Sequence, residues 1–136
     1  MVCPNHSSKV KRVLIADDTA SSRDLLRSIL EASDYVVAEA NDGRQVLEMA
    51  ESFNPHLVIL DLEMPKLDGY ATAAILRKKP ALRETPIIAL TAALTQTAPE
   101  RITEAGFSAY FVKPIRPRSL REFVARFLET PYLERL

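Results

Sequence analysis

The sequence contains a single cysteine, Cys3, among its 136 residues. One cysteine provides neither a disulfide framework nor a cluster with metal-ligand spacing. An excess of charge of one sign is also absent, because 18 lysines and arginines balance 18 aspartates and glutamates. A protein that binds nucleic acid through its bulk charge would be basic. We therefore expect a protein of the reducing cytoplasm that makes no direct contact with nucleic acid.

Long hydrophobic runs are absent as well. The first ten residues, MVCPNHSSKV, lack the apolar core of about 7 to 15 residues that a signal peptide requires. No segment approaches the roughly 20 apolar residues of a membrane span, so we expect no membrane association. The length fits one domain. We expect a flexible tail over residues 1–10, a folded domain over 11–129 and a C-terminal tail over 130–136 that is too short to fold alone.

Short apolar runs alternate with amphipathic stretches along the chain. The apolar runs are RVLIA, YVVAEA, HLVILD, PIIAL and AYFVK, and an amphipathic stretch follows each of them. Continuous apolar runs indicate strands that are covered on both faces, as in a parallel sheet that lies between helices. The sequence therefore predicts an α/β fold, with a doubly wound sheet of five parallel strands and helices on both faces.

Acidic residues stand at the carboxyl ends of two predicted strands. Asp17 and Asp18 follow the first strand, and Asp61 ends the third. Because ligands bind beyond the carboxyl ends of the strands in such a sheet, we expect these carboxylates to converge there. Three unpaired carboxylates repel one another, and Mg²⁺ prefers a few carboxylates together with waters and a phosphate. Asp18 alone has an alternative role, as the N-cap of the following helix.

Two later strands end on a hydroxyl and an ammonium group. The run PIIALTA places Thr91 at the end of the fourth strand, and AYFVKPI places Lys113 at the end of the fifth. A hydrogen-bond donor and a positive charge are what a phosphoryl group on Asp61 would require for its oxygens. Taken singly, each residue favours a simpler interpretation, Thr91 as an ordinary strand-end hydroxyl and Lys113 as a solvated lysine. The four strand ends taken together favour a common site.

In this order and spacing, the motifs resemble the receiver domain of bacterial two-component response regulators. The resemblance runs from about Lys11 to about Leu128, and it rests on DD, LDLEMPKLDGY, LTA and YFVKP after the first, third, fourth and fifth strands. It implies a flavodoxin-like order of strands. It also implies a signalling switch that is phosphorylated with the help of Mg²⁺.

The resemblance assigns a phospho-acceptor and a set of metal ligands. Asp61 would attack phosphorus in line and form an acyl phosphate. Asp18 would bind Mg²⁺ directly, and Asp17 would bind it largely through water. Asp61 itself and the backbone carbonyl of Glu63 would complete the contribution of the protein to the metal shell.

The resemblance also assigns the switch. Thr91 would bind a phosphoryl oxygen and move toward it, while Lys113 would pair with another oxygen. Tyr110 matches an aromatic residue that turns inward when Thr91 moves. The alternative, with equal weight, is that Tyr110 is a structural residue at the edge of the core.

The resemblance also makes Lys113-Pro114 a candidate cis peptide. Gly69 would permit a tight turn into the third helix, with Asp68 as a candidate cap, while Pro117 would begin the fifth helix.

Partners follow from the same resemblance. The phosphoryl donor would be a phosphohistidine on a histidine kinase or a histidine phosphotransfer protein. The domain would catalyse its own phosphorylation and dephosphorylation at Asp61 but would turn over no small-molecule substrate. Its output would be contact with a downstream protein through the fourth helix, fifth strand and fifth helix, and homodimerisation remains an option.

Two other functions compete with this prediction. A Mg²⁺-dependent phosphatase with an aspartyl nucleophile would carry its second acid on the motif of the first strand and would have a larger cap, for which this chain has no room. A receiver-like binding module that is never phosphorylated would be expected to lack the acid pair, the acceptor or the lysine. All of these are present here, as Asp17, Asp18, Asp61 and Lys113.

Overall fold

The structure, a computed structural model, describes residues 10–64, 68–92 and 99–129. Residues 1–9 and 130–136, which make up nearly all of the two expected tails, lie outside these ranges. The five strands are β1 Arg12–Ala16, β2 Val36–Ala40, β3 Leu57–Asp61, β4 Ile87–Thr91 and β5 Ala109–Val112. The helices are α1 Ala20–Glu31, α2 Gly43–Phe53, α3 Gly69–Arg77, α4 Pro99–Ala105 and α5 Pro117–Leu128, with a 3₁₀ turn at Pro80–Leu82.

The strands form one parallel sheet in the order β2-β1-β3-β4-β5. The order runs outward in both directions from the first strand, which is the flavodoxin-like arrangement. This confirms the predicted α/β fold and its doubly wound sheet. The 3₁₀ turn before β4 was not predicted, because three residues are too few to show a periodicity.

Successive residues of the strands face two separate hydrophobic cores. On one face, Leu14, Val58 and Leu60 pack with buried residues of α2, α3 and α4. On the other face, Val13, Ile15 and Ile59 pack with buried residues of α1 and α5. Alternate strand residues point to opposite faces, so a strand that is buried on both faces is apolar throughout. This is why the predicted strands read as continuous apolar runs.

Two helices begin where the sequence expectations place them, α3 after Asp68 and α5 at Pro117. The Asp68 carboxylate accepts a hydrogen bond from the Ala71 N–H at 2.8 Å, which confirms Asp68 as the cap of α3. Pro117 is the first residue of α5, and Arg116 before it provides no side-chain cap. Gly106 follows α4 with φ of +106°, a conformation that other residues rarely adopt. No helix within the described ranges has both the length and the apolar character that crossing a membrane requires.

Candidate functional site

The three predicted acids meet at the carboxyl end of the sheet. In the register of the parallel strands, Ala16 lies opposite Leu60 and Asp61 lies opposite Leu90, so the ends of β1, β3 and β4 are level. Carboxylate oxygens of Asp17, Asp18 and Asp61 all lie within 4.8 Å of one another. Asp17 and Asp61 are buried, whereas Asp18 is exposed. The expected convergence of these carboxylates is confirmed.

Lys113 contacts two of these acids. Its Nζ lies 3.1 Å from Oδ2 of Asp61 and 3.3 Å from Oδ2 of Asp17. The backbone N–H of Lys113 donates to the Thr91 carbonyl at 2.8 Å, which extends the pairing of β5 with β4 by one residue. The Lys113-Pro114 peptide is cis, as expected. Lys113 is therefore an ion-pair partner at the site, and the alternative of a solvated lysine is wrong.

Backbone hydrogen bonds fix the other oxygen of each buried acid. The Thr19 N–H donates to Oδ1 of Asp17, and the Glu63 N–H donates to Oδ1 of Asp61, both at 2.9 Å. Asp18 does not cap α1, because the N-cap position is Thr19 and no side chain caps the helix there. The N-cap alternative for Asp18 is therefore wrong.

Burial and charge act together on the ionisable groups of the site. Burial raises the pKa of Asp17, and the nearby charge of Asp61 raises it further, although the Thr19 N–H and Lys113 act in the opposite direction. Burial alone would lower the pKa of Lys113, but its hydrogen bonds and its charge interactions with Asp61 and Asp17 hold that pKa above its usual value. Lys113 therefore stays protonated at neutral pH.

The excess of acidic groups at the site favours binding of a divalent cation. The cluster brings three carboxyl groups together around one described ammonium group, so acidic groups outnumber the basic partner. All of the candidate ligands are oxygen atoms, and one of them, on Asp18, is open to solvent. A partly open set of oxygens is the environment that Mg²⁺ prefers, because it keeps several of its waters. The residues present fit that ion.

Three further predicted residues lie on β4, on β5 and directly after β3. Thr91 is buried at the end of β4, one residue beyond Leu90, which lies opposite Asp61. Tyr110 is half-buried on β5 and packs against the core that contains Leu14 and Leu60. Glu63 is exposed and follows Asp61 by two residues, so that its backbone reaches the carboxylate. The positions agree with the sequence predictions, and the roles of these residues in binding and switching stay predictions.

Gly69 lets α3 begin directly against the end of β3. A Cβ atom at this position would lie 2.7 Å from the Asp61 carbonyl oxygen and 2.9 Å from Cα of Leu62. Both atoms belong to the backbone and cannot rotate away. Residues 65–67, which precede the expected tight turn at Gly69, lie outside the described ranges. At Gly69 itself the structure shows a close approach of two backbone segments.

Arg23 is a residue of the site that the sequence prediction missed. It lies in α1, and its guanidinium Nη1 donates to the backbone carbonyl of Asp17 at 2.6 Å. Its position in the sequence offered one signal: Arg23, Leu26 and Leu30 share one face of α1, and the two leucines are buried. A charged residue on the buried face of a helix requires a partner.

A family model described as the response regulator receiver domain matches residues 13–125. Among curated proteins, the transcriptional regulatory protein PdtaR of Mycobacterium tuberculosis is 40% identical over 129 residues, which are 91% of this chain and 62% of PdtaR. The polar-differentiation response regulator DivK of Brucella ovis is 33% identical over 120 residues, which are 88% of this chain and 92% of DivK. The chain thus spans less than two thirds of PdtaR and most of DivK.

Solved structures show the same fold. The chemotaxis response regulator CheY4 of Vibrio cholerae superposes with a TM-score of 0.83 at 28% identity, over 87% of this chain and 98% of CheY4. The receiver domain of the sensor histidine kinase PA1611 from Pseudomonas aeruginosa has a TM-score of 0.82 at 28% identity, over 89% of this chain and 99% of that domain. The PA1611 structure has a magnesium ion coordinated in its active site cleft.

Proposed function

Because the chain belongs to the family of response regulator receiver domains, we propose that Asp61 is the residue that accepts the phosphoryl group. Proteins of this family are signalling proteins that are phosphorylated on an aspartate in two-component systems, and their cofactor is Mg²⁺. The observation that carries the assignment is the arrangement of Asp61 at the end of β3, with Lys113 Nζ at 3.1 Å and two further carboxylates beside it.

Asp61 provides the nucleophile. One carboxylate oxygen forms a bond to phosphorus while the bond from phosphorus to the donor nitrogen breaks, and the electron pair leaves with that nitrogen. The donor is a phosphohistidine on a histidine kinase or phosphotransfer protein. A carboxylate and a phosphoryl group repel each other, so the reaction depends on positive charge held between them. Lys113 is held at this position by its contacts with Asp61 and Asp17.

The metal would be held by oxygens of this cluster. Asp18 and Asp61 are its proposed direct carboxylate ligands, with the Glu63 carbonyl as a third, and Asp17 acts largely through water. Mg²⁺, when bound, supplies charge neutralisation between the attacking carboxylate and the incoming phosphoryl oxygens. Asp18 is exposed, which leaves space beside it for the waters that Mg²⁺ keeps.

A purified sample tests the proposal through its intact mass. The chain is incubated with acetyl phosphate, either with Mg²⁺ or with a chelator in its place. We expect a gain of one phosphoryl group only in the sample with Mg²⁺, because the carboxylate is unreactive without charge neutralisation. No gain under either condition would identify a binding module with the geometry of a receiver but without its chemistry.

Phosphorylation is proposed to change one surface of the domain, which consists of α4, β5 and α5. Thr91 ends β4, and its backbone carbonyl accepts the Lys113 N–H that follows β5. Movement of the Thr91 hydroxyl toward the phosphoryl group would therefore act on the strand that carries Tyr110. Arg118 and Arg121 are exposed on α5 and belong to this surface. A shift between two conformations that differ by a few kcal/mol is enough for such a switch.

Hydrogen exchange measures this switch without knowledge of the partner. We expect phosphorylation to change amide exchange in Pro99–Ala105, Ala109–Val112 and Pro117–Leu128 more than in Gly43–Phe53, which lies away from this surface. A Thr91→Val variant keeps the shape but lacks the hydroxyl, so it should accept the phosphoryl group without this exchange response. An unchanged response in Thr91→Val would remove Thr91 from the switch.

The remaining parts of the functional assignment stay proposals. The protein turns over no independent small-molecule substrate, and its downstream target is another protein. Histidine kinases or phosphotransfer proteins are the partner class, and homodimerisation remains an option. The cytoplasmic location, with no direct contact with nucleic acid or membrane, also stays a prediction. The family assignment favours this signalling function over that of an aspartyl phosphatase.

A further inference from the structure

Arg23 connects α1 to the segment that carries two of the acids. Its Nη1 donates to the Asp17 carbonyl at 2.6 Å, and its Nε lies 3.3 Å from Oε1 of Glu39 on β2. The side chains of Arg23 and Glu39 are only 19% and 21% exposed, so this pair is largely removed from solvent. Glu39 also accepts a hydrogen bond from Arg27, one helical turn further along α1.

The carbonyl that Arg23 holds belongs to the peptide between Asp17 and Asp18. A peptide unit is planar, so fixing its oxygen also fixes the direction of the next residue. On the other side of Asp17, its backbone N–H donates to the Ala40 carbonyl at 3.3 Å. Asp17 is thus held on both sides. For the Asp18 side chain, the hydrogen bond found within residues 10–64, 68–92 and 99–129 is with its neighbour Thr19, at 3.4 Å between the hydroxyl and Oδ1. The orientation of Asp18 therefore depends on the Asp17–Asp18 peptide.

Glu39 explains why Arg23 binds the carbonyl rather than the carboxylates. An arginine close to three acids is attracted toward them, and an ion pair with Asp18 would occupy a metal ligand. Glu39 holds the Arg23 Nε on the side of β2, which leaves Nη1 to reach the carbonyl. The planar guanidinium group can serve both partners at once, whereas the single ammonium of lysine cannot reproduce this geometry.

We propose that Arg23, held by Glu39, is a positioning residue for the magnesium ligands Asp17 and Asp18. The inference rests on the proposed metal site. Arg23 itself binds neither the metal nor the phosphoryl group. It acts through the Asp17–Asp18 peptide, in the way that residues behind metal ligands generally orient them.

The test is the dissociation constant for Mg²⁺ of the unphosphorylated protein, measured by titration calorimetry. We expect Arg23→Met to weaken Mg²⁺ binding by about tenfold or more, as is typical when support for a metal ligand is removed. Charge alone predicts the opposite, because the loss of a positive group near the acids would strengthen binding of a cation. Arg23→Lys should recover only part of the affinity, and Glu39→Gln should weaken binding in the same direction as Arg23→Met.

Arg27→Met is the matched control. It removes the same charge from the same helix and the same partner, Glu39, but Arg27 has no described contact with the Asp17 carbonyl. We expect its affinity for Mg²⁺ to stay within about twofold of the parent. Unchanged affinity in Arg23→Met, with only a lower free energy of unfolding, would reduce Arg23 to a structural residue and overturn the inference. Absence of Mg²⁺ binding by the parent would instead refute the proposed metal site itself.

Discussion

Replacing Asp61 with asparagine should abolish the gain of a phosphoryl group from acetyl phosphate in the presence of Mg²⁺. Asparagine keeps the size of the side chain and an oxygen that can accept a hydrogen bond from the Glu63 N–H. In the parent protein this N–H donates to Oδ1 of Asp61 at 2.9 Å. The neutral amide is not a nucleophile toward phosphorus. The fold should therefore persist while the reaction is lost, and the intact mass together with the circular dichroism spectrum measures both.

The structure gives a reason why Asp61, and not one of its neighbours, should be the acceptor. Asp17 contacts Lys113 as Asp61 does, but its side chain is 0% exposed, whereas that of Asp61 is 8% exposed. Asp18 is exposed, but the described ion pairs of Lys113 are with the other two acids. Of the three acids, Asp61 is the one whose side chain both contacts Lys113 and keeps a small exposed fraction.

Asp24→Asn is the matched control for this prediction. Asp24 is an exposed aspartate in α1, so the same chemical change is made away from the cluster. We expect this variant to gain one phosphoryl group like the parent. A gain of mass in Asp61→Asn, located by peptide mapping to Asp17 or Asp18, would transfer the acceptor role to that residue.

The acids could be predicted from the sequence because each follows an apolar run directly. Asp61 ends HLVILD and Asp17 follows RVLIA, so a parallel sheet brings both to the same edge. The rule that parallel strands point their carboxyl ends in one direction is enough for this step. Lys113 follows in the same way, since it stands directly after the fifth apolar run.

Contacts between distant segments could not be predicted in this way. Arg23 and Glu39 meet because β2 pairs with β1 and α1 packs against both strands, and nothing in their local sequence indicates the pair. Gly69 was predicted as a turn residue, whereas its close approach to the backbone of Asp61 and Leu62 was not predicted. A periodic pattern shows which face of an element is buried, and it does not show which atoms meet there.

Arg77 also contacts segments that are distant in the sequence. Its replacement should lower the free energy of unfolding more than any surface substitution. It ends α3, and its guanidinium donates to the carbonyls of Gly106 at 2.8 Å and Thr85 at 2.7 Å. It also donates to the carbonyls of Leu82 and Arg83, at 3.0 and 3.1 Å. The described partners are all neutral oxygens, and burial lowers the pKa of Arg77. One side chain thus holds together α3, the turn before β4 and the end of α4.

In Arg77→Met these carbonyls lose the guanidinium as a donor, while the apolar stem of the side chain is kept. The Leu82 carbonyl still accepts from the Thr85 N–H at 3.2 Å, so the loss falls mainly on the carbonyls of Gly106, Arg83 and Thr85. A buried polar group without a partner costs about 1–3 kcal/mol, and part of this cost is relieved where water can enter. We expect the free energy of unfolding to fall by about 3 kcal/mol, measured by urea denaturation followed by circular dichroism. Arg77→Lys should restore only part of the loss, because one ammonium cannot reproduce the planar fork of arginine.

Arg83→Met is the control, since Arg83 is exposed in the same turn and its replacement should change stability by no more than about 0.5 kcal/mol. A loss below about 1 kcal/mol in Arg77→Met would mean that water replaces the guanidinium group without difficulty.

Phosphorylation of Arg77→Met should show whether the substitution lowers stability alone or also disturbs the acid cluster. Arg77 binds residues that precede β4 and β5, whereas the acids lie beyond the carboxyl ends of the strands. The folded fraction of Arg77→Met should therefore still accept a phosphoryl group on Asp61.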